Sequence, residues 1–260
     1  ADHTLRYEIV KNGHIVAKGK QALPVIEVDG EATVTLPLEG VSLKDAAKAG
    51  EEIMINLFAE QDKATVWSEA GHEVASEQFE LNARKGILPA IKVDKKAEKL
   101  AVEDTEKALK VGNKAIAAVF CKETGVMTSL KLNGMEIING KDGFVYDNYR
   151  FIENDRSCKP GNGLDSIGTC EIVPSKGGSV IVKTTRGGQL ASQVITYTFL
   201  PNGTMDMDVT LTPQAKELRR AGLVANINPG LRNVNYWAYG PDENYNDRKE
   251  STMVGRYQTT

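Results

Sequence analysis

Leu5-Arg6-Tyr7-Glu8-Ile9-Val10, followed after Lys11 by Asn12-Gly13 and then by His14-Ile15-Val16-Ala17, is the stretch that decides the class of fold. Two runs rich in β-branched and aromatic residues meet at Asn-Gly. That dipeptide accepts the positive φ a two-residue hairpin demands, so the pattern predicts two antiparallel strands. The same signs recur outward from it. Strands are expected over residues 32–38, 52–59 and 73–81, and only residues 43–49 read as a helical turn or two. Five to seven short strands in about 90 residues, without a sustained helix, predict a small immunoglobulin-like β-sandwich.

Residues 82–100 change character. Asn82-Ala83-Arg84-Lys85-Gly86 and the Lys/Glu-rich stretch 92–99 read as a linker between domains. We place domains at 1–92 and 93–260. The second domain is also β. Strands are expected over 109–111, 115–122 and 130–132, then over 135–138 after a turn at Asn133-Gly134. Further strands over 179–185, 192–200 and 204–212 follow, the last two joined by Pro201-Asn202-Gly203, with 223–227 and 234–239 completing the set. Residues 205–211 alternate apolar and polar as a half-buried strand does. So many strands predict a large antiparallel sandwich.

Composition limits the partners. With 41% hydrophobic and 26% charged residues and a net charge of −3, the chain has the make-up of a globular protein with a core. Residues 1–95 carry 11 basic and 16 acidic groups, net −5, and the remainder 21 and 19, net +2. That asymmetry is too mild for a nucleic acid or an anionic membrane as partner. No apolar run reaches the roughly 18 residues of a membrane helix. The opening Ala1-Asp2-His3-Thr4 has no signal-peptide character and no initiator Met precedes it, which reads as the start of a piece of a longer or processed chain. Three cysteines make no disulfide framework. Cys158 and Cys170 bracket a Gly-rich loop and are the pair an oxidising compartment would join, and Cys121 reads as a small buried hydrophobe.

The side chains give few catalytic options. The three histidines, His3, His14 and His72, all precede residue 93, which leaves the second domain without a His base or His metal ligand. A glycosidase needs only two carboxylates, about 5–5.5 Å apart for retention. Glu153 and Asp155 are candidates by proximity, and the plainer reading of that segment is a solvated or Arg-paired acidic loop.

Three segments carry a resemblance. Gly240-Pro241-Asp242-Glu243-Asn244-Tyr245-Asn246-Asp247-Arg248 reads physically as a rigid polar loop. Pro241 fixes its own φ, Asp242, Asn244 and Asp247 can bond to local backbone, and Arg248 can fork onto a carboxylate. It resembles the Gly-Pro-x-Glu-Asn-Tyr-Pro-Asp-Arg signature of β-galactosidases of glycoside hydrolase family 2, with Asn246 in place of Pro. Trp67-Ser68-Glu69-Ala70-Gly71-His72 is similar to a motif of the fourth domain of these enzymes, where it opens the last hairpin. Here Trp67 reads as an apolar anchor, Gly71 as the residue that permits the turn, and Glu69 and His72 as polar groups that fix the corner. Asn148-Tyr149-Arg150-Phe151-Ile152-Glu153-Asn154-Asp155 is similar to a segment near the start of the fifth domain, with Arg150, Asn154 and Asp155 on matching positions. Arg220-Ala221-Gly222-Leu223 resembles a strand leading to the Asn-Tyr loop.

The resemblance covers residues 1–260 in the family's order. It implies an immunoglobulin-like fourth domain followed by part of a large antiparallel sandwich of the galactose-mutarotase type, cut short at its C-terminal end. It implies that both catalytic glutamates and the Mg2+ ligands lie in a barrel domain outside this chain. No catalytic residue, metal ligand or cofactor is therefore assigned here. The implied partners are the remaining domains of the parent enzyme, the β-galactoside bound by that parent, and further copies in a homo-oligomer. Arg150, Asn154 and Asp155 are expected to line the substrate entrance. Two alternatives stand beside this. A carbohydrate-binding module would use Tyr236, Trp237, Tyr239, Tyr245 and Tyr257 as sugar platforms. An aldose epimerase would need a His with a carboxylate, and no His follows residue 92.

Overall fold

The computed structural model describes residues 2–36, 40–45, 51–82, 96–139, 143–149, 163–216, 218, 220–242, 244–245 and 248–260. The chain is all-β and forms two compact units. Unit 1 contains Ala1–Ala90 together with Asn233–Thr260, and unit 2 is Ile91–Arg232.

Unit 1 grows from the hairpin read above. Strands β1 (His3–Lys11) and β2 (His14–Ala22) meet at Asn12 and Gly13, whose φ values are 47° and 80°. Both being positive matches the twist of the flanking strands. With β3 (Ile53–Gln61) and β4 (Glu73–Asn82) they make an antiparallel sheet of order β2-β1-β3-β4. The two-residue period of β1 sends Tyr7 and Ile9 to one face, where they pack with Ile53 and Ile55 and are flanked by Ala17, Leu36, Val41, Leu43, Leu57 and Leu81. The opposite face is polar toward one end. Arg6 bonds Glu60 (2.5 Å) and Glu8 (2.8 Å), Lys20 reaches Glu60 at 2.7 Å, and the Arg6 guanidinium lies 3.8 Å over the Phe58 ring centre.

A second hairpin belongs to this unit. Past the strands of unit 2 come β16 (Val234–Gly240) and β17 (Met253–Thr259), paired antiparallel. Gln78 of β4 attaches the hairpin. Its Oε1 accepts from Val254 N (2.8 Å), and its Nε2 donates to Val254 O (2.9 Å) and to Asn56 Oδ1 (2.7 Å). A side-chain amide thus pairs with a peptide group as a neighbouring strand would. Trp237 Nε1 donates to Glu52 Oε2 (3.1 Å) and Arg256 donates to Asn12 O (3.2 Å). Gly13 lies beneath both side chains. A Cβ there would be 2.6 Å from Arg256 Nε and 2.8 Å from the Trp237 ring, so the position needs glycine for space as well as for φ.

The expected strand over 32–38 does not form in the described part of that segment, 32–36. Asp29 has φ 59° and Gly30 N bonds Glu27 O (2.9 Å), a turn that sends the chain across the sheet, where Leu36 joins the core. Four strands rather than five to seven are present among the described residues of the first 92. Leu43, Lys44 and Asp45 are helical as read, and 46–49 lie outside the described residues.

Unit 2 is a sandwich. One sheet is the meander β5 (Ala101–Asp104), β6 (Ala108–Gly112), β7 (Ile116–Cys121), β8 (Val126–Leu132) and β9 (Met135–Glu136). The other is the meander β11 (Leu164–Val173), β12 (Val180–Gly188), β13 (Ala191–Phe199) and β14 (Met205–Pro213). Leu109, Val111, Phe120 and Met127 of the first share one buried cluster with Cys170, Val182, Ile195, Tyr197 and Phe199 of the second. Phe120 meets Tyr197 and Phe199 edge-on, at 5.2 and 6.1 Å between ring centres, the geometry aromatic quadrupoles favour. Removing a ring of this size from water contributes about 1.5–3 kcal/mol. A short pair, β10 (Val145–Asp147) with β15 (Gly222–Val224), completes the unit.

Candidate functional site

Two of the segments singled out in the sequence converge in unit 2. Strands β10 and β15 pair Tyr146 with Leu223 and Asp147 with Gly222. Residues 148–149 therefore leave the sheet beside 220–221. Arg220 Nη1 lies 3.9 Å from Asp147 Oδ2 and donates to Tyr149 O at 3.4 Å. Arg150, Asn154 and Asp155, with Glu153, lie outside the described residues. What is described is their anchor, a short sheet with one Arg at its mouth.

A residue that sequence reasoning missed fixes that anchor. Gln193 of β13 is 3% exposed. Its Oε1 accepts from Tyr146 N (2.5 Å) and its Nε2 donates to Phe144 O (3.2 Å). A backbone edge that would otherwise be buried unpaired is satisfied by one amide. The sequence did carry a signal. Gln193 falls on the buried phase of β13, with Ala191, Ile195, Tyr197 and Phe199, and a polar residue on an apolar phase needs internal partners.

The 67–72 segment forms the corner between β3 and β4. Gly71, at φ 84°, makes the turn, and the backbones of Gln61 and His72 bond at 3.0 Å. Sequence reasoning gave the corner to Glu69 and His72, yet the buried side chain of Gln61 organises it. The two protons of its Nε2 are shared among Lys63 O (3.0 Å), Ser68 Oγ (2.6 Å) and Glu69 O (3.0 Å). Glu69 contributes through backbone, accepting from Gln61 and from His72 N, and His72 sets its ring edge-on to Trp67 at 5.5 Å. Trp67 differs from the expected anchor, being 66% exposed. The loop closes on amide hydrogen bonds and needs no apolar plug.

In the 240–248 loop, Gly240-Pro241 is a cis peptide. Asn244 bonds back to Tyr239 O (3.2 Å), and Arg248 N to Tyr245 O (2.8 Å). Glu243, Asn246 and Asp247 lie outside the described residues. Arg248 O accepts from Ser251 Oγ (3.0 Å), just before a single 3-10 turn over Lys249–Ser251. Of the aromatic residues weighed as sugar platforms, Trp237 covers Gly13, and Tyr236 packs on Tyr257 at 5.5 Å. Tyr257 donates to Met253 O, and Tyr239 stays 46% exposed.

Cys121 and Cys170 are free thiols, and Cys158 lies outside the described residues. Burial pushes the Cys170 thiol up to about 12. Cys121 is only partly buried, and a hydrogen bond with Thr124 lowers its thiol. Among the described residues no group of three or more His, Cys, Asp or Glu is placed to hold a metal ion. No described helix is long and apolar enough to cross a membrane.

Fold and motifs together define an all-β protein of two antiparallel units, with loops anchored by side-chain amides. The profile of the family described as "Beta galactosidase small chain" matches residues 112–260, and that of "Beta-galactosidase, domain 4" matches residues 1–82. The chain belongs to the β-galactosidase family. It is 28% identical over 97% of its length to a Priestia megaterium protein named beta-galactosidase, covering 25% of that protein. It is 26% identical over 97% to one from Pseudoalteromonas haloplanktis, covering 26% of it. The chain thus spans about a quarter of the length of these curated relatives.

Proposed function

We propose that this chain is the non-catalytic C-terminal portion of a family 2 β-galactosidase, a retaining glycosidase that removes terminal β-galactose residues. The observation that carries this reading is the match of two successive β-galactosidase profiles, in chain order, to a sequence only about a quarter as long as its relatives. Unit 1 and the sandwich act as a scaffold for the barrel that holds the catalytic glutamates and its Mg2+. Arg150, Asn154 and Asp155 line the substrate entrance. The anchoring of the strand before that loop, by Gln193 at Phe144 and Tyr146 and by Arg220 at Tyr149, supports that role, because binding loops work when a rigid sheet positions them.

The test is complementation. The purified chain is assayed on a chromogenic β-galactoside, alone and mixed with the N-terminal remainder of the parent. We expect no turnover alone and turnover on mixing; turnover by the chain alone overturns the reading. In the full enzyme, Arg150→Ala and Asp155→Ala are expected to raise KM more than they lower kcat. Unchanged kinetics remove those residues from the entrance.

A further inference from the structure

Unit 1 carries a polar cleft. It lies between β4 and the 3-10 turn before β17, with a volume of about 250 Å3, and is lined by Ser76, Glu77, Tyr239, Lys249, Glu250 and Thr252 among others. At ~30 Å3 per water, that is room for about eight waters, or for one six-membered sugar ring.

Its floor is fixed. The Gln78 amide is committed to Asn56 and Val254, so wall and floor move together. Thr252 and Ser251 donate their hydroxyl protons to Lys249 O and Arg248 O, which leaves their oxygens as acceptors. One oxygen of Glu77, an exposed residue, accepts from Gln78 N (3.0 Å). Glu250 adds a second carboxylate, Lys249 an ammonium, and Tyr239 a half-exposed ring.

This set selects by chemistry. Two carboxylates and one ammonium leave a formal charge of −1, which disfavours a phosphate or sulfate. Two carboxylates are too few for a divalent cation's six or more oxygens. The polar lining rejects an apolar ligand. A donor and several acceptors lining one cleft together with a tyrosine suit a molecule whose every hydroxyl both donates and accepts and whose C–H face stacks on a ring. We propose that this cleft binds one pyranose unit of a neutral saccharide, as a site separate from catalysis. The proposal does not depend on the β-galactosidase reading.

The experiment is saturation-transfer NMR on the 260-residue chain with methyl β-galactoside, methyl β-glucoside and sodium sulfate. Saturable binding of a glycoside in the millimolar range is expected, with little or none for sulfate. Tyr239→Ala is expected to abolish it, Tyr239→Phe to retain it, and the exposed Glu250→Gln to weaken it about tenfold, the loss of roughly one charge-assisted hydrogen bond. No saturable glycoside binding, binding indifferent to Tyr239→Ala and Glu250→Gln, or preference for sulfate each overturn the proposal. Because the chain is tested without its complement, this outcome and that of complementation are read separately.

Discussion

Among the described residues, unit 2 gathers thirteen into one buried cluster, whereas the sheet of unit 1 gathers four, Tyr7, Ile9, Ile53 and Ile55, against one face. The smaller unit holds its other parts by polar clamps, Gln61 in the corner, Gln78 on the hairpin and the Arg6–Glu60–Lys20 network on the outer face. Apolar burial scales with area and tolerates imprecision. A clamp contributes about 1 kcal/mol and fails once one partner leaves. Two units of one chain therefore differ in what holds them, and unit 1 is expected to melt first. The difference is measurable because the chain's two tryptophans, Trp67 and Trp237, both lie in unit 1. Indole fluorescence follows that unit alone, and calorimetry follows both.

The comparison breaks most easily in unit 2's core. Phe120→Ala, at a fully buried ring, is expected to cost about 3–5 kcal/mol, lowering the later calorimetric transition while the fluorescence midpoint stays. A common shift of both would show that the units unfold as one. Gly13→Ala should take about 2–3 kcal/mol from unit 1 alone, through its positive φ and the clash with Trp237 and Arg256, read as a fluorescence midpoint lowered against an unmoved second transition. Gln193→Ala should cost unit 2 about 1–3 kcal/mol by stranding Tyr146 N and Phe144 O. Hydrogen exchange at Tyr146 is expected to accelerate more than at β13, and equal acceleration would deny the clamp.

Acid should affect unit 1 mildly. Hydrogen bonds from Lys20 and then Arg6 hold the Glu60 carboxyl below its ordinary value. A depressed folded pKa contributes stability that is present above the unfolded pKa, about 4.5, and lost as pH falls through the folded value. The fluorescence midpoint should therefore drop in that acid range, and less so in Glu60→Gln. The smallest effect is chemical. At pH 8, iodoacetamide should label Cys121 before Cys170, since the thiolate is the nucleophile and Cys170 is held near 12. Equal rates would mean the core of unit 2 opens.

Much of the fold was legible because it rests on local patterns. Asn12-Gly13 and Asn133-Gly134 made their hairpins, and the alternation of 205–211 became β14. The strands that escaped lack such patterns. β5 is four exposed residues, two of them acidic, β10 is three residues long, β11 is interrupted by an irregularity between Leu164 and Gly168, and β17 carries Gly255 amid mixed residues. The segment 32–36 looked like a strand, but the turn at Asp29-Gly30 directs it elsewhere. At the candidate site, the motifs marked where loops lie, and the glutamines that hold them stayed hidden. A clamp is a long-range pairing, and nothing local to Gln78 says that Val254 lies across from it.

Trp237 resting over Gly13 also sets an order of events. The hydrogen bonds on either side of that contact link distant residues, Arg256 to Asn12 across 244 positions and Trp237 to Glu52 across 185. A ribosome adding about 5–20 residues per second needs on the order of 10–30 s between residue 90 and residue 260. Through that interval β1 to β4 stand without their second hairpin, while unit 2, contiguous from Ile91 to Arg232, emerges whole. Within residues 1–260, the segment made earlier is thus the one completed later.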